Sequence, residues 1–351
     1  MRDSKVITSN YTFATPENGT LTVTKRPVTI SSKNFTYNYY DGITHKDTND
    51  IADIEATGLV VDHIVTGVNF IGNRTVAGTT VNGNTFDRIV IKDSSEKDVT
   101  SNYDRTYSFG NFTITRRPIT IVTPNYESVY NGNDQAYTFD PAHDYLKPGS
   151  TLGDDEYIAE ATFAMHKDAG TYTNGNTVNT LKINSSMHFD ATENYIISYE
   201  NGTVTIYPRP ITLRSGDATK VYDGDKLDNF TVTDITSGQT DKGYVNGEVF
   251  TYDFNGTNIV NVTDTKTGNN KFTVKDNATT GAKAGNYEVT LENGTLTVTP
   301  RNVKLTSGSA TREYNGQPLD NTSVHPESYA ATEKLLKELK FKKSDLKKGA
   351  F

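Results

Sequence analysis

Residues 287–299 read Tyr-Glu-Val-Thr-Leu-Glu-Asn-Gly-Thr-Leu-Thr-Val-Thr, and they give the clearest indication of the fold class. Apolar and polar residues alternate on both sides of the central Asn-Gly pair, which is the strongest short-range signal for a β-hairpin. A two-residue type I′ turn would place Leu291 opposite Leu296 and Val289 opposite Val298. We therefore expect two antiparallel strands that share one apolar face.

Related stretches recur along the chain at a fixed interval. The Asn-Tyr dipeptide occurs in steps of 92 residues, at residues 10–11, 102–103, 194–195 and 286–287. A Tyr-Asp-Gly or Tyr-Asn-Gly turn signal occurs at residues 40–42, 130–132, 222–224 and 314–316. A period of this length indicates an array of similar modules.

The module boundaries are expected at basic-proline links such as Pro208-Arg209-Pro210. Val298 and Val303 flank the last of these links at an odd spacing, so they would face opposite sides of one continuous strand. The chain must therefore bend there or pass from one module core to the next. The predicted organisation is the C-terminal hairpin of a truncated module over 1–26, β modules over 27–117, 118–209 and 210–301, and an incomplete module with a helical, lysine-rich tail over 302–351.

The predicted fold class is mainly β, a tandem array of modules of about 92 residues that each resemble a β-sandwich. Short alternating runs and frequent turn signals favour this class. The alternative is a β-grasp-like module with a short helix near Leu59 or Tyr244.

Composition narrows the classes of function. The chain has no cysteine, which excludes disulfides, thiolate metal sites and a cysteine nucleophile. Its formal net charge of −8 disfavours a nucleic-acid partner. No apolar run approaches the length of a membrane span, so we expect no membrane insertion in this segment. The expected solution state is a monomeric rod.

The sequence predicts no catalytic residues and no cofactor. The six histidines lack zinc-protease spacing, and no phosphate-binding glycine loop occurs. Asp223, Asp225 and Asp228 form a weak calcium candidate, with a second acidic cluster at residues 154–156. The turn interpretation is favoured, because Asn131 replaces Asp223 in another copy and adds no charge.

Tyrosine is abundant, with 21 residues, whereas tryptophan is absent. The tyrosines of the Tyr-Asp/Asn-Gly signals are interpreted as packing residues, and an exposed ring platform for sugars or peptides is the alternative. An intramolecular Lys–Asn cross-link is disfavoured, because Lys220 has Ser128 at its equivalent position.

The combined order of motifs resembles the YDG/MBG-type repeats of large bacterial surface and adhesin-like proteins. The resemblance covers roughly residues 5–320, and the fourth copy departs from it at Asn302. It implies an exported, extracellular module on a bacterial cell surface, with signal and anchor outside this segment, and it implies no catalytic residues.

Two functions follow as expectations. The first is a non-catalytic stalk or spacer, or a weak multivalent binder, with host or matrix glycans or proteins met through other parts of a longer protein. The alternative is a set of carbohydrate-binding accessory modules from a secreted polysaccharide-processing enzyme. Repetition favours the spacer, because a stalk needs length and an enzyme needs one site.

Overall fold

The computed structural model describes residues 11–12, 14–186, 189–307, 309–319 and 324–326. Within these ranges the helical elements are short 3-10 turns, at Asp50–Asp53, Thr100–Asn102, Thr192–Asn194, Val262–Asp264 and Ala284–Asn286. The strands, in chain order, are β1 (Arg26–Ser32), β2 (Phe35–Tyr37), β3 (His45–Lys46), β4 (Ile54–Thr57), β5 (Ile64–Phe70), β6 (Asn73–Arg74), β7 (Gly78–Asn84), β8 (Phe86–Lys92), β9 (Tyr103–Ser108), β10 (Gly110–Ile114), β11 (Arg117–Val122), β12 (Tyr126–Val129), β13 (Glu156–Phe163), β14 (Gly170–Asn176), β15 (Val178–Ser185), β16 (Tyr195–Glu200), β17 (Gly202–Tyr207), β18 (Arg209–Ser215), β19 (Ala218–Val221), β20 (Val232–Asp234), β21 (Thr251–Asp253), β22 (Thr273–Lys275), β23 (Tyr287–Glu292), β24 (Leu296–Thr299), β25 (Leu305–Ser307) and β26 (Val324–Pro326).

The mainly-β prediction is confirmed, with the strands arranged in several small sheets. The β-grasp alternative needs a helix near Leu59 or Tyr244, and both residues lie in non-helical connections. That alternative is therefore wrong at the positions it names. The helical tail predicted within residues 302–351 falls on residues 329–351, which lie outside the described part of the chain.

A parallel strand pair recurs with the sequence period. β9 lies beside β1, β16 beside β11, and β23 beside β18. In each pair the arginine that precedes a proline stands opposite the tyrosine of Asn-Tyr, as Arg26 does opposite Tyr103 and Arg209 opposite Tyr287. The recurrent motifs thus fix one register of pairing in every copy.

The predicted hairpin is wrong, because its two strands belong to different sheets. β23 pairs with β18, whereas β24 pairs in parallel with β19, so Leu291 stands opposite Leu213 and Leu296 opposite Ala218. β9 and β10 separate in the same way, into the sheets β4-β1-β9 and β2-β10-β7. Alternation identifies which residues share a face, but it does not identify the neighbouring strand.

The recurrent glycine at this crossing allows two backbones to approach closely. A Cβ atom on Gly294 would lie 2.4 Å from the carbonyl oxygen of Ser215, and one on Gly110 would lie 2.2 Å from that of Lys33. Neither glycine has a positive φ angle. The glycine is therefore required by space, whereas the hairpin interpretation required it for a turn.

A buried polar network holds each crossing. The N–H of Gly294 donates to the Ser215 hydroxyl at 2.9 Å, and that hydroxyl donates to the carbonyl of Asn270 at 2.6 Å. The Asn270 side chain in turn donates to the carbonyl of Gly216 at 2.8 Å. The other copies repeat these bonds with the sets Ser32, Asn84, Gly110 and Thr123, Asn176, Gly202.

The turn signals form the turns that the sequence predicts. The Asp223 carboxylate accepts the N–H of Asp225 at 3.0 Å, and the Asn131 side chain accepts the N–H of Asn133 at 2.9 Å. The glycine of each signal has a positive φ angle, of +88°, +78°, +85° and +75° along the chain. Asp and Asn therefore serve the turn equally well.

Two compact units, built from interleaved segments, make up the chain. The first comprises residues 1–126, 135–166 and 171–205, and the second comprises 127–134, 167–170 and 206–351. In the first unit, Val28 and Ile30 of β1 pack against Phe86 and Ile91 of the antiparallel strand pair β5 and β8. The packing of the sheet on this strand pair forms one layered core.

A second core of the first unit runs across the link at residues 116–118 without a break. Phe112 on β10 and Ile121 on β11 share it with Phe163 and Ile183 of the antiparallel strand pair β13 and β15. The chain therefore stays packed where the sequence predicts a module boundary.

In the second unit, side chains cover the edge of β24 where a strand covers β10 in the first unit. β10 pairs with β7, but the N–H of Leu296 on β24 donates to the Asn269 side chain at 2.7 Å. That side chain donates back to the Leu296 carbonyl at 3.0 Å. The N–H of Val298 donates to the Thr265 hydroxyl at 3.0 Å. The edge is thus satisfied without a neighbouring strand.

Candidate functional site

A cluster of two buried tyrosines and one glutamate occurs in each unit. In the second unit the hydroxyls of Tyr130 and Tyr287 donate to separate carboxylate oxygens of Glu248, at 2.6 and 2.7 Å. All three side chains are buried, and the two rings meet edge to face with centroids 5.6 Å apart. We call these three residues the second-unit clamp.

The first unit has the same arrangement. Its glutamate and its second tyrosine lie 92 residues before those of the second-unit clamp. Tyr40 and Tyr195 donate to separate carboxylate oxygens of Glu156, and their ring centroids lie 5.7 Å apart at an edge-to-face angle. The N–H of Gly153 donates to the Tyr195 hydroxyl at 2.6 Å. We call Tyr40, Glu156 and Tyr195 the first-unit clamp.

Each clamp joins residues that the sequence assigns to consecutive modules. Tyr40 belongs to the predicted module 27–117, whereas Glu156 and Tyr195 belong to 118–209. The other recurrent motifs meet at the same place. The Asn194 side chain accepts the N–H of Ala77 at 2.9 Å, and Asn286 accepts that of Ala169 at 2.8 Å.

The arginine of the basic-proline link completes each clamp from outside. Arg117 donates to the carbonyl of Tyr40, and Arg209 donates to the carbonyl of Tyr130 at 3.4 Å. Arg209 also donates to the carbonyl of Gly243 at 2.9 Å. The arginine of the link therefore also holds the Tyr-Asp/Asn-Gly turn in place.

Burial, followed by the hydrogen bond to the carboxylate, raises the pKa of every clamp tyrosine. An ionised carboxylate only accepts hydrogen bonds, and each clamp supplies it with two hydroxyl donors. The tyrosines are thus held neutral and bonded. This geometry suits the fixing of chain segments, since no hydroxyl of the clamp is left as a free nucleophile.

A variant of the clamp surrounds Tyr103 in the first unit. Its hydroxyl accepts the N–H of Val60 at 3.1 Å and lies 2.6 Å from Nδ1 of His63. The residue 92 positions before Glu156 is Ile64, so the neighbouring histidine takes over the polar contact. The tyrosine position is therefore kept while its partner changes.

The clamps decide between the two interpretations of the turn-signal tyrosines. Tyr40 and Tyr130 are buried, so the exposed ring platform is wrong for them and the packing interpretation is confirmed. In the sequence, Glu156 stands out only as a member of an acidic cluster, and Glu248 belongs to no motif. Their spacing of 92 residues is the signal that identifies them.

The calcium candidate is occupied by a lysine. The Lys220 ammonium lies 2.8 Å from the Asp223 carboxylate and donates to the Asp225 carbonyl at 2.6 Å. The hydrogen bond from Lys220 lowers the pKa of Asp223. Asp228 is exposed, and among the described residues no group of three or more His, Asp or Glu could hold a metal. Calcium binding at this aspartate cluster stays a prediction, and the ion pair between Lys220 and Asp223 argues against it.

A lysine, an acid and an asparagine do meet in the second unit, beside its clamp. The Lys283 ammonium lies 2.6 Å from Asp168, which also accepts from the Asn286 side chain at 2.9 Å. The hydrogen bond between Lys283 and Asp168 raises the pKa of the lysine and lowers that of the acid. An intramolecular Lys–Asn cross-link would require a neutral lysine amine. Lys283 instead forms an ion pair with Asp168.

An aromatic cleft of about 220 Å³ opens in the first unit. Phe139, His143, Tyr145 and Tyr157 contribute its rings, and Asp144 is its acid. The volume lies below the roughly 300–1,000 Å³ of typical small-molecule sites. The cleft could hold a single sugar ring.

Comparison with known proteins gives a match at the C-terminus. A family model described as an HHH domain matches residues 317–350, most of which lie outside the described part of the chain. No curated protein matches the chain. Among the described residues, no helix has the length and apolar character needed to cross a membrane.

Proposed function

We propose that this chain is a non-catalytic spacer segment of a bacterial cell-surface or secreted adhesin-like protein. The observation that carries the proposal is the clamp, which recurs in both units with the same residue types and the same hydrogen bonds. A spacer needs consecutive modules that do not swing freely. The clamps supply this restraint at the position where a flexible array would have its hinge.

The energetics of the clamp favour a stiff link. Opening the junction at the first-unit clamp would leave the Glu156 carboxylate without its two hydroxyl donors and would expose the rings of Tyr40 and Tyr195. A hydrogen bond to a charged group contributes about 1.5–3 kcal/mol net, so exchanging the two clamp hydrogen bonds for water disfavours opening. The continuous core across residues 116–118 adds to this cost.

The aromatic cleft favours a second candidate, weak carbohydrate binding. Its rings could stack on a sugar while Asp144 accepts hydrogen bonds from hydroxyl groups. Binding of a monosaccharide or glycan, lost in a Tyr157→Ala variant, would support that candidate. The spacer proposal expects no such binding at millimolar ligand.

The spacer proposal is tested by deleting residues 118–209. The deletion joins Arg117 to Pro210, which preserves the basic-proline link, and it allows Tyr40 to meet Glu248 and Tyr287 in a new clamp. We expect the shortened chain to fold. Solution scattering should show its longest dimension reduced by the length of one repeat.

A matched control deletes half of the 92-residue period, from 118 to 163. This variant removes Glu156 and β13, leaves β15 without its partner strand, and is expected to unfold. An in-phase deletion that unfolds as the control does would contradict the spacer proposal. So would a folded in-phase deletion whose dimension is unchanged.

A further inference from the structure

The heptapeptide Asn-Gly-Thr-Leu-Thr-Val-Thr occurs both at residues 18–24 and at residues 293–299. In the second copy Leu296 and Val298 are 0% and 2% exposed. In the first copy Leu21 and Val23 are 98% and 97% exposed, and residues 14–25 form no strand. Among the described residues, the first copy is therefore a strand sequence without a neighbouring strand.

The neighbour that the second copy uses has its own counterpart in the chain. β24 lies in parallel beside β19, with Leu296 opposite Ala218 and Val298 opposite Lys220. Residues 215–224 read Ser-Gly-Asp-Ala-Thr-Lys-Val-Tyr-Asp-Gly, and residues 307–316 read Ser-Gly-Ser-Ala-Thr-Arg-Glu-Tyr-Asn-Gly. Residues 310–313 are exposed and form no strand. They are the counterpart of β19, but among the described residues no counterpart of β24 lies beside them.

We propose that residues 18–24 of one copy add as a parallel strand to residues 310–313 of a second copy. The register follows from the β19–β24 pair, with Leu21 opposite Ala310 and Thr22 opposite Thr311. Strand addition of this kind uses main-chain hydrogen bonds for affinity and alternate side chains for specificity.

The contact joins the early part of one chain to the late part of another, so it is a head-to-tail contact that builds open chains or closed rings of molecules. It goes beyond the spacer proposal and stands without it. It also predicts assembly where the sequence alone leads to the expectation of a monomer.

Because the chain lacks cysteine, disulfide trapping tests the register directly. Full-length Thr22→Cys protein is mixed with full-length Thr311→Cys protein under oxidising conditions. Neighbouring residues on paired strands lie about 4.8 Å apart, within disulfide range. We expect a heterodimer that carries the 22–311 disulfide, identified by peptide mass.

The matched control mixes Thr22→Cys with Glu313→Cys, which is offset by two residues to about 8 Å and beyond disulfide range. Equal yields from the two mixtures, or no heterodimer from the first, would overturn the proposal. A Thr22→Cys/Thr311→Cys protein that forms its disulfide only within single chains would also overturn it, because the partner would then be the same chain.

Sedimentation of the uncrosslinked protein gives an independent test. We expect the wild-type mass to rise with concentration and the Leu21→Asp/Val23→Asp variant to stay monomeric. The control is Val61→Asp/Val81→Asp, which makes the same chemical change at exposed sites of the first unit and should assemble like wild type. Equal assembly of all three proteins would contradict strand addition through residues 18–24.

Discussion

The same seven residues behave differently at positions 18–24 and 293–299. The second copy is a buried strand because β19 lies beside it, Asn269 covers its edge and Gly294 lets it approach Ser215. The first copy has the same alternation and is exposed. Burying a leucine or valine contributes about 1.5–3 kcal/mol, and only a neighbour can supply that burial. Sequence alternation therefore makes a strand possible, and the neighbours make it form.

The largest effect is expected from truncating the shared leucine. Leu296→Ala removes a fully buried side chain and should lower the free energy of unfolding by about 2–5 kcal/mol. At a concentration where the protein is monomeric, Leu21→Ala alters an exposed side chain and should leave the free energy of unfolding unchanged within about 0.5 kcal/mol. Urea denaturation followed by circular dichroism at that concentration measures both variants. Similar losses in the two variants would mean that residues 18–24 are packed within the single chain.

The second-largest loss of stability is expected from substituting the glycine that the two copies share. Gly294→Ala would place a methyl group 2.4 Å from the Ser215 carbonyl, so the strand must move, at a cost of about 1–3 kcal/mol. Gly19→Ala meets no atom within 4 Å and should be neutral. Chemical denaturation of the two variants side by side gives the answer. A neutral Gly294→Ala variant would contradict the close approach.

A smaller loss is expected from the side chain that covers the buried copy. Asn269→Ala leaves the N–H and the carbonyl of Leu296 without partners and should cost about 1–2 kcal/mol. Amide hydrogen exchange at Leu296 and Val298 should accelerate. Asn38→Ala, at an exposed position, is the control and should leave these rates unaltered. Unchanged exchange in the Asn269 variant would show that another group satisfies the strand edge.

The smallest effect near neutral pH is the pH dependence of the stability that Tyr287 and its clamp partner Tyr130 contribute. Folding raises the pKa of both tyrosines, so their contribution is fully present below the unfolded value of about 10 and is lost as pH rises above it. The stability difference between wild type and Tyr130→Phe should therefore be constant from pH 7 to 9 and should shrink toward pH 11. Urea denaturation across this range measures it, and a growing difference would contradict the raised pKa.

The sequence was a good guide to local structure and a poor one to neighbours. Asx turns and positive-φ glycines at the Tyr-Asp/Asn-Gly signals follow from local chemistry, and the structure contains them. The Asn293-Gly294 hairpin fails because alternation is equally consistent with strands in two different sheets. The Tyr-Glu-Tyr clamps were missed because Glu248 lies far in sequence from Tyr130 and stands in no recognisable motif.

The central claim is that the clamps stiffen the links between repeats, and spin-label distances across the first-unit clamp test it most directly. Labels at Val61→Cys and Ile196→Cys, both exposed in wild type and both in the first unit, report on residues of consecutive predicted modules. The account predicts a narrow distance distribution that broadens in a Glu156→Ala background and stays narrow in a Glu193→Ala control. A broad distribution in the otherwise wild-type chain, or no response to the loss of Glu156, would contradict it.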